Sequence, residues 1–197
     1  MNIGKVREKV RSIIGDNQQA RYVFTDAELD EHILHAVEIF SRYLPVEVTI
    51  ELETTGGDGE LTLPEDVFYT TIKRVEFPVG CVPPSYPGFS LNGKTITLHT
   101  ADIYDGLVAK VLLLTNHEIS EAGSTISPAY ASLIATGAAA LATFEEAFKS
   151  TNRVNTGGTD VSRRYLDWAK VNFDCYCETL KGLAKPKNVE ITSLRTL

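Results

Sequence analysis

At Pro45 the spacing of apolar residues changes from three or four to two, and no other feature limits the possible folds as much. Before it, Leu29, Ile33, Val37, Phe40 and Leu44 recur at intervals of three and four, the stripe of a half-buried helix. Thr25 followed by Glu28 has the spacing of a capping box, which places the start of that helix at 25. Proline cannot continue it. After Pro45, Val46, Val48, Ile50 and Leu52 alternate with Glu47, Thr49, Glu51 and Glu53, the period of a half-buried strand. A helical chain therefore becomes a β chain at one residue.

The same periodicities organise the rest. Ile3, Val6, Val10 and Ile13 predict a first helix over 3–14, with Lys5, Arg7, Lys9 and Arg11 on its other sides and Gly15-Asp16-Asn17 ending it. After the strand at 46, Gly56 to Gly59 reads as a turn and Leu61 and Leu63 resume the alternation. Thr71 to Phe77 is a further strand, and Pro83, Pro84 and Pro87 mark a loop. Ser90 to Thr95 reads as a hairpin turning at Asn92-Gly93. The apolar run Gly106 to Thr115 closes the region as a last strand. Ser127-Pro128 then has the pattern of a helix N-cap with proline at the first helical position. The helix to about Ser150 carries Ala135, Gly137, Ala138, Ala139, Ala140 and Ala142, small residues that let a neighbouring helix come close. Asn155 to Gly158 reads as a linker. Thr159 or Asp160 caps a final helix to about Leu183, with Trp168, Phe173 and Tyr176, and Pro186 forbids its continuation. The expected fold is α+β: a bundle of about four helices from 1–45 and 117–183, a β-rich module inserted at 46–116 between the second and third helices, and an extended C-terminal tail at 184–197.

Charge is divided unevenly. The net charge is −7, yet residues 25–60 hold ten acidic side chains and one basic, while residues 149–197 hold nine basic and five acidic. Such a chain presents different faces to different neighbours, and it lacks the concentrated Lys and Arg of a surface that grips nucleic acid throughout. No apolar stretch approaches the roughly 20 residues of a membrane span, and 1–14 has no uninterrupted apolar core of the kind a signal peptide carries. Three cysteines, Cys81, Cys175 and Cys177, form no disulfide framework and point to a reducing cytoplasm.

Several short patterns resemble chemistry. Gly88 to Thr95 satisfies GxxxxGK[ST], but a phosphate-binding loop needs a buried strand before it and a helix after it. Here prolines precede, and Thr95 to Leu98 alternates like a strand, so a hairpin is expected and a nucleotide-binding enzyme is the lesser alternative. His117-Glu118 opens like HExxH, but Glu121 stands where the second histidine must be. His32 and His35 lie three apart with no third ligand and are expected to face solvent. Cys175 and Cys177 point about 200° apart on a helix, which favours core packing. The carboxylates from Asp26 to Glu31 sit in the first turns of a helix, where the macrodipole accounts for them. No GxSxG is present, and no serine is placed beside a histidine. No catalytic residue, metal ligand or cofactor is expected.

The order of the segments carries a resemblance. Thr25-Asp26-Ala27-Glu28-Leu29-Asp30 through Ser41-Arg42-Tyr43-Leu44-Pro45 resembles the opening of the tailed-phage head-to-tail adaptor proteins, which follow the portal in head completion. Leu63-Pro64-Glu65-Asp66 ahead of Ile72 to Pro78, the late His117, the helix opening Ile126-Ser127-Pro128 and Arg163-Arg164-Tyr165-Leu166-Asp167-Trp168-Ala169 extend the likeness over about residues 20–185. The resemblance implies a structural virion protein, made in the host cytoplasm. It would form a dodecameric ring below the portal and continue the DNA channel toward a tail or stopper protein. Twelve copies at −7 would carry about −84, and an acidic lumen lets DNA slide without sequence-specific contact. A tail-completion or other virion interaction protein is the alternative in the same class. The tail places Val189, Ile191, Leu194 and Leu197 among polar residues, a pattern suited to adding a strand or filling a groove on a partner such as the portal.

Overall fold

A computed structural model describes residues 1–19, 22–54, 59–100, 106–151 and 161–185. Among these lie four helices, α1 (Ile3–Ile14), α2 (Asp26–Tyr43), α3 (Ala131–Thr151) and α4 (Val161–Ala184). Six strands, β1 (Val46–Glu53), β2 (Glu60–Thr62), β3 (Thr71–Glu76), β4 (Gly88–Asn92), β5 (Thr95–His99) and β6 (Val108–Thr115), fall between α2 and α3. The β insertion into a helical frame is therefore present. The chain divides into two compact units, Met1–Leu44 with the residues from Ile119 onward, and Pro45–Glu118. The turn at Gly56–Asp58, the Asn155–Gly158 linker, the cap at Thr159 or Asp160 and all but the first two residues of the predicted tail lie outside the described residues.

In the helical unit, local chemistry sets the helix ends. The Asn2 side chain accepts from Lys5 N at 3.1 Å, and Gly15 closes α1 in the left-handed region at φ 73°, which glycine adopts without a Cβ penalty. The capping box of α2 is complete: Thr25 Oγ1 accepts from Glu28 N at 3.2 Å and Glu28 Oε2 accepts from Thr25 N at 2.8 Å. The entry to α3 differs from expectation. Ser127 Oγ accepts from Ala129 N and Ser127 O accepts from Tyr130 N, so Pro128–Tyr130 wind as a 3₁₀ turn and the α-helix begins at Ala131. The reason for the small residues of α3 is its place: it packs against α1, α2 and α4. Ala135, Ala138, Ala139 and Ala142 are fully buried, and a Cβ on Gly137 would lie 2.9 Å from the Tyr176 ring. Ile3, Val6, Val10, Leu29, Ile33, Val37, Phe40, Ile134, Tyr176 and Leu180 join them in one core.

The β unit is two antiparallel three-stranded sheets, β1-β6-β3 and β2-β5-β4. Leu61, Leu63, Ile96 and Leu98 of one and Ile72, Val75, Ala109, Val111 and Leu113 of the other share a core with Phe77. The run 106–115 does supply the last strand, and that strand, β6, lies at the centre of its sheet, with Leu112, on the opposite face from Val111 and Leu113, buried as well. One expectation changes. The hairpin turns one residue later than read. Asn92 pairs with Thr95, so the two loop residues are Gly93 and Lys94, with Gly93 at φ 60°, and glycine in the first loop position is what a type II′ turn favours. In β3 the register slips between Ile72 and Arg74. That bulge leaves Lys73 unpaired in the ladder and turns both Ile72 and Val75 inward although they stand three apart.

Candidate functional site

Most of the sequence patterns that resemble chemistry fall in structural settings. Gly88–Thr95 is strand, turn and strand, without the helix a phosphate loop needs. Lys94 Nζ donates to Pro64 O at 3.3 Å, to Glu65 O at 2.7 Å and to Glu65 Oε2 at 3.1 Å, which ties the hairpin to the segment after β2. His117 lies just past β6, after Asn116. His35 is exposed, but His32 is not solvent-facing: it is tucked against α3, with Nε2 2.9 Å from Glu145 Oε2 without hydrogen-bond geometry, and its ring edge-on to Phe24. Cys175 is exposed, Cys177 half-buried, and Tyr176 between them is the core residue, so packing accounts for the middle of that triplet and not for Cys175. Among the described residues no three His, Cys, Asp or Glu side chains gather as a metal site would require.

The carboxylates at the start of α2 have a larger role than the helix dipole assigns them. Two arginines of α1 reach across to them. Arg7 makes a two-pronged pair with Asp30, Nε to Oδ1 at 2.8 Å and Nη2 to Oδ2 at 2.7 Å, and a third bond to Glu121 Oε1 at 2.9 Å. Arg11 is buried rather than on an outer side of α1. Its Nη1 donates to Asp16 Oδ2 at 2.5 Å, its Nη2 to Phe24 O at 3.0 Å and to Asp26 Oδ1 at 2.7 Å, and its guanidinium lies 3.6 Å from the Tyr22 ring centre. Asp16 in turn accepts from Val23 N at 2.9 Å. The side chains of Arg11 and Asp16 are 7% and 5% exposed, so this is a desolvated pair with further hydrogen bonds on both partners. Nothing in the local sequence marks Arg11 apart from Lys5 or Lys9. What closes over its head group is Asp16, Tyr22, the Phe24 carbonyl and Asp26, all from outside α1.

Glu28 is held by the Thr25 backbone amide first and by the Thr25 hydroxyl and Lys149 after it, which lowers its carboxyl from 4.5 to about 2. A carboxylate whose folded value lies below its ordinary one stabilises the fold above the ordinary value, and this contribution disappears as pH falls through the folded value. Replacing Glu28 by alanine should therefore lower stability at pH 7 by about 0.3–1.5 kcal/mol, the range of a helix-capping feature. The gap to the wild type should narrow steadily between pH 4.5 and 2. Urea unfolding across that range is the measurement, and a gap independent of pH would show that the charge is not what matters.

The other distinctive surface is apolar. Only Ala169, Tyr176 and Leu180 of α4 are fully buried among its described side chains. Tyr165, Leu166, Trp168 and Val171 remain exposed, Val171 at 67%, and Phe148 of α3 is exposed at the same end of the helix pair, where Ser150 Oγ meets Ser162 Oγ at 3.0 Å. Arg163, Arg164 and Lys170 border them. In the β unit the two most exposed large apolar residues are on loops, Phe68 at 84% and Val82 at 95%, and Tyr86, Leu91 of β4 and Val48 of β1 are exposed to a lesser degree. Exposed apolar side chains that adjoin one another, as Trp168 and Val171 do one turn apart, mark contact surfaces when rimmed by charge. Sequence reading singled out Trp168 without seeing this face, because α4 has apolar residues on two sides and periodicity does not say which side is covered. The four residues picked for partner binding, Val189, Ile191, Leu194 and Leu197, lie outside the described residues. No protein-family model matches this chain, and no curated protein does. No helix among the described residues is long and apolar enough to cross a membrane.

Proposed function

We propose that this chain is a structural protein of a tailed-phage particle, a head-to-tail adaptor that forms a ring below the portal and continues the DNA channel toward the tail. The observation that carries it is the distribution of large exposed apolar side chains over separate surfaces: the first half of α4 in the helical unit, and the loops bearing Phe68 and Val82 in the β unit. A chain held between a portal, its own copies and a tail or stopper protein needs several contact surfaces at once. The ionisable side chains that cluster, Arg7, Arg11, Asp16, Asp26 and Asp30, are used in holding α1 to α2 and to the segment between them. Glu51 and Glu53 stand exposed on β1. Acidic side chains of this kind, turned to a lumen, would repel phosphate and leave DNA free to move.

Mixing the purified chain with portal rings tests the proposal: it should sediment with them, and an electron-microscopy map of the particle should place it as a ring below the portal. Sedimentation with tail tubes instead would assign it to tail completion. Because α4 runs to Ala184, the variant that examines the tail should end at Lys185. Loss of Val189, Ile191, Leu194 and Leu197 in that variant should leave the helical content unchanged and reduce portal binding at least tenfold. Undiminished binding would move the docking surface elsewhere. ATP binding that disappears on Lys94→Ala would overturn the structural role in favour of an enzyme.

A further inference from the structure

Along α4 the exposed residues Trp168, Val171 and Cys175 follow one another at three and four, and Arg164 and Glu178 extend the same row by four and three. At about 100° per residue the apolar part of this row lies roughly 130° round the helix from the buried Ala169, Tyr176 and Leu180. It is a second, uncovered seam with the spacing that helices use to pack on one another. Of the charges on α4, Arg164 and Glu178 lie on this row at its two ends and Asp167 flanks it, whereas Arg163 and Lys170 lie more than about 100° round the helix. Lys181 pairs with Glu178 at the far end.

We propose that the seam is covered by the α4 of a second copy of this chain, running antiparallel and centred near Val171. A parallel partner would set Arg164 on Arg164 and Glu178 on Glu178. An antiparallel partner centred on Val171 sets Arg164 of each copy opposite Glu178 of the other, seven residues either side of the centre, and brings Trp168 near the small side chain of Cys175 instead of a second indole. The contact is isologous, so it pairs two copies and stops. It therefore cannot be the contact that repeats around a cyclic ring, and a ring of this chain must use other surfaces. One helix pair buries less than the roughly 1,200 Å² of a stable interface, so the dimer is a weak, concentration-dependent one. The inference does not depend on the adaptor reading, since it concerns the free chain and the surface of one helix.

Sedimentation of the full chain should show a monomer–dimer equilibrium, and Val171→Glu, at a position already exposed, should weaken dimerisation at least tenfold while leaving the circular dichroism unchanged. Orientation is read by cross-linking with a short bis-thiol reagent in a background with Cys81, Cys175 and Cys177 changed to serine. Val171→Cys should cross-link to itself, and Arg164→Cys should not, because antiparallel copies place the two 164 positions about 14 residues apart along the axis, some 21 Å. Equal cross-linking at both positions, a chain that stays monomeric at millimolar concentration, or a dimer indifferent to Val171→Glu would each overturn the inference. Absence of the dimer together with a portal-bound ring that still forms would overturn this inference and leave the adaptor reading standing.

Discussion

Replacing Arg11 by methionine should destabilise the helical unit by about 3–5 kcal/mol, the effect expected when one member of a buried ion pair is removed. Methionine keeps much of the stem that packs against the core, so the loss is electrostatic. Asp16, 5% exposed, loses its charged partner, the Phe24 carbonyl loses a donor, and Asp26 loses a bond of 2.7 Å. Changing Asp16 to alanine in the same chain should recover a good part of that loss, because an apolar pair of similar volume does not leave a charge stranded. Guanidinium unfolding of the single and double variants reads the difference. A single variant that costs less than about 1 kcal/mol would mean that the Val23 and Phe24 amides alone hold the Asp16 charge. Asp26 fits the same picture, since its carboxyl is held below the usual range chiefly by the hydrogen bond from Arg11.

The second large effect is expected where three helices meet. Tyr176 projects from α4 past Gly137 of α3 and donates its hydroxyl to Ala36 O of α2 at 2.6 Å. Burial raises its phenol above the ordinary range, so it remains a donor at any working pH. Tyr176→Ala should cost about 3–5 kcal/mol, as for other large aromatic side chains removed from a core. Tyr176→Phe should cost about 1 kcal/mol, the value of the lost hydrogen bond. Gly137→Ala should cost about 1–3 kcal/mol through overpacking, since the ring edge at 2.9 Å cannot yield without moving the hydroxyl off Ala36. Combined with Tyr176→Ala, the alanine at 137 should cost almost nothing more, because the ring it meets is gone. Thermal unfolding of the four variants makes the comparison, and additive costs would show that the two positions do not share one contact.

The elements whose formation is decided within a few residues were legible in the sequence. The capping box at Thr25, the glycine after α1, the alternation from Val46 and the small residues of α3 each carry their own physical reason. What escaped depended on residues distant along the chain. Arg11 looked like any other cation of α1 because its acceptors come from 16, 24 and 26. The strand order β1-β6-β3 needs a pairing between residues 55 to 69 positions apart. Even so, the unbroken run Val111 to Leu114 carried a usable signal, since a strand apolar on both faces is covered on both. Ile72, Val75 and Phe77, spaced three and then two, likewise announced the bulge. The face of α4 could not be assigned, because its two apolar stripes differ in what packs on them and hardly in composition.

The ladder between β1 and β6 pairs Val46 with Thr115 and ends with Glu53 opposite Val108. The polypeptide thus leaves the helical frame and returns to it at neighbouring points, side by side on two adjacent strands. For the frame, the intervening residues amount to a long excursion with its ends already joined, and the entropy of closing such a loop grows only slowly with its length. The β unit is in this sense a cassette: its loops can lengthen, shorten or change their chemistry while the helices that hold it keep their register. A lineage could retune what the loops around Phe68 and Val82 touch without redesigning the bundle.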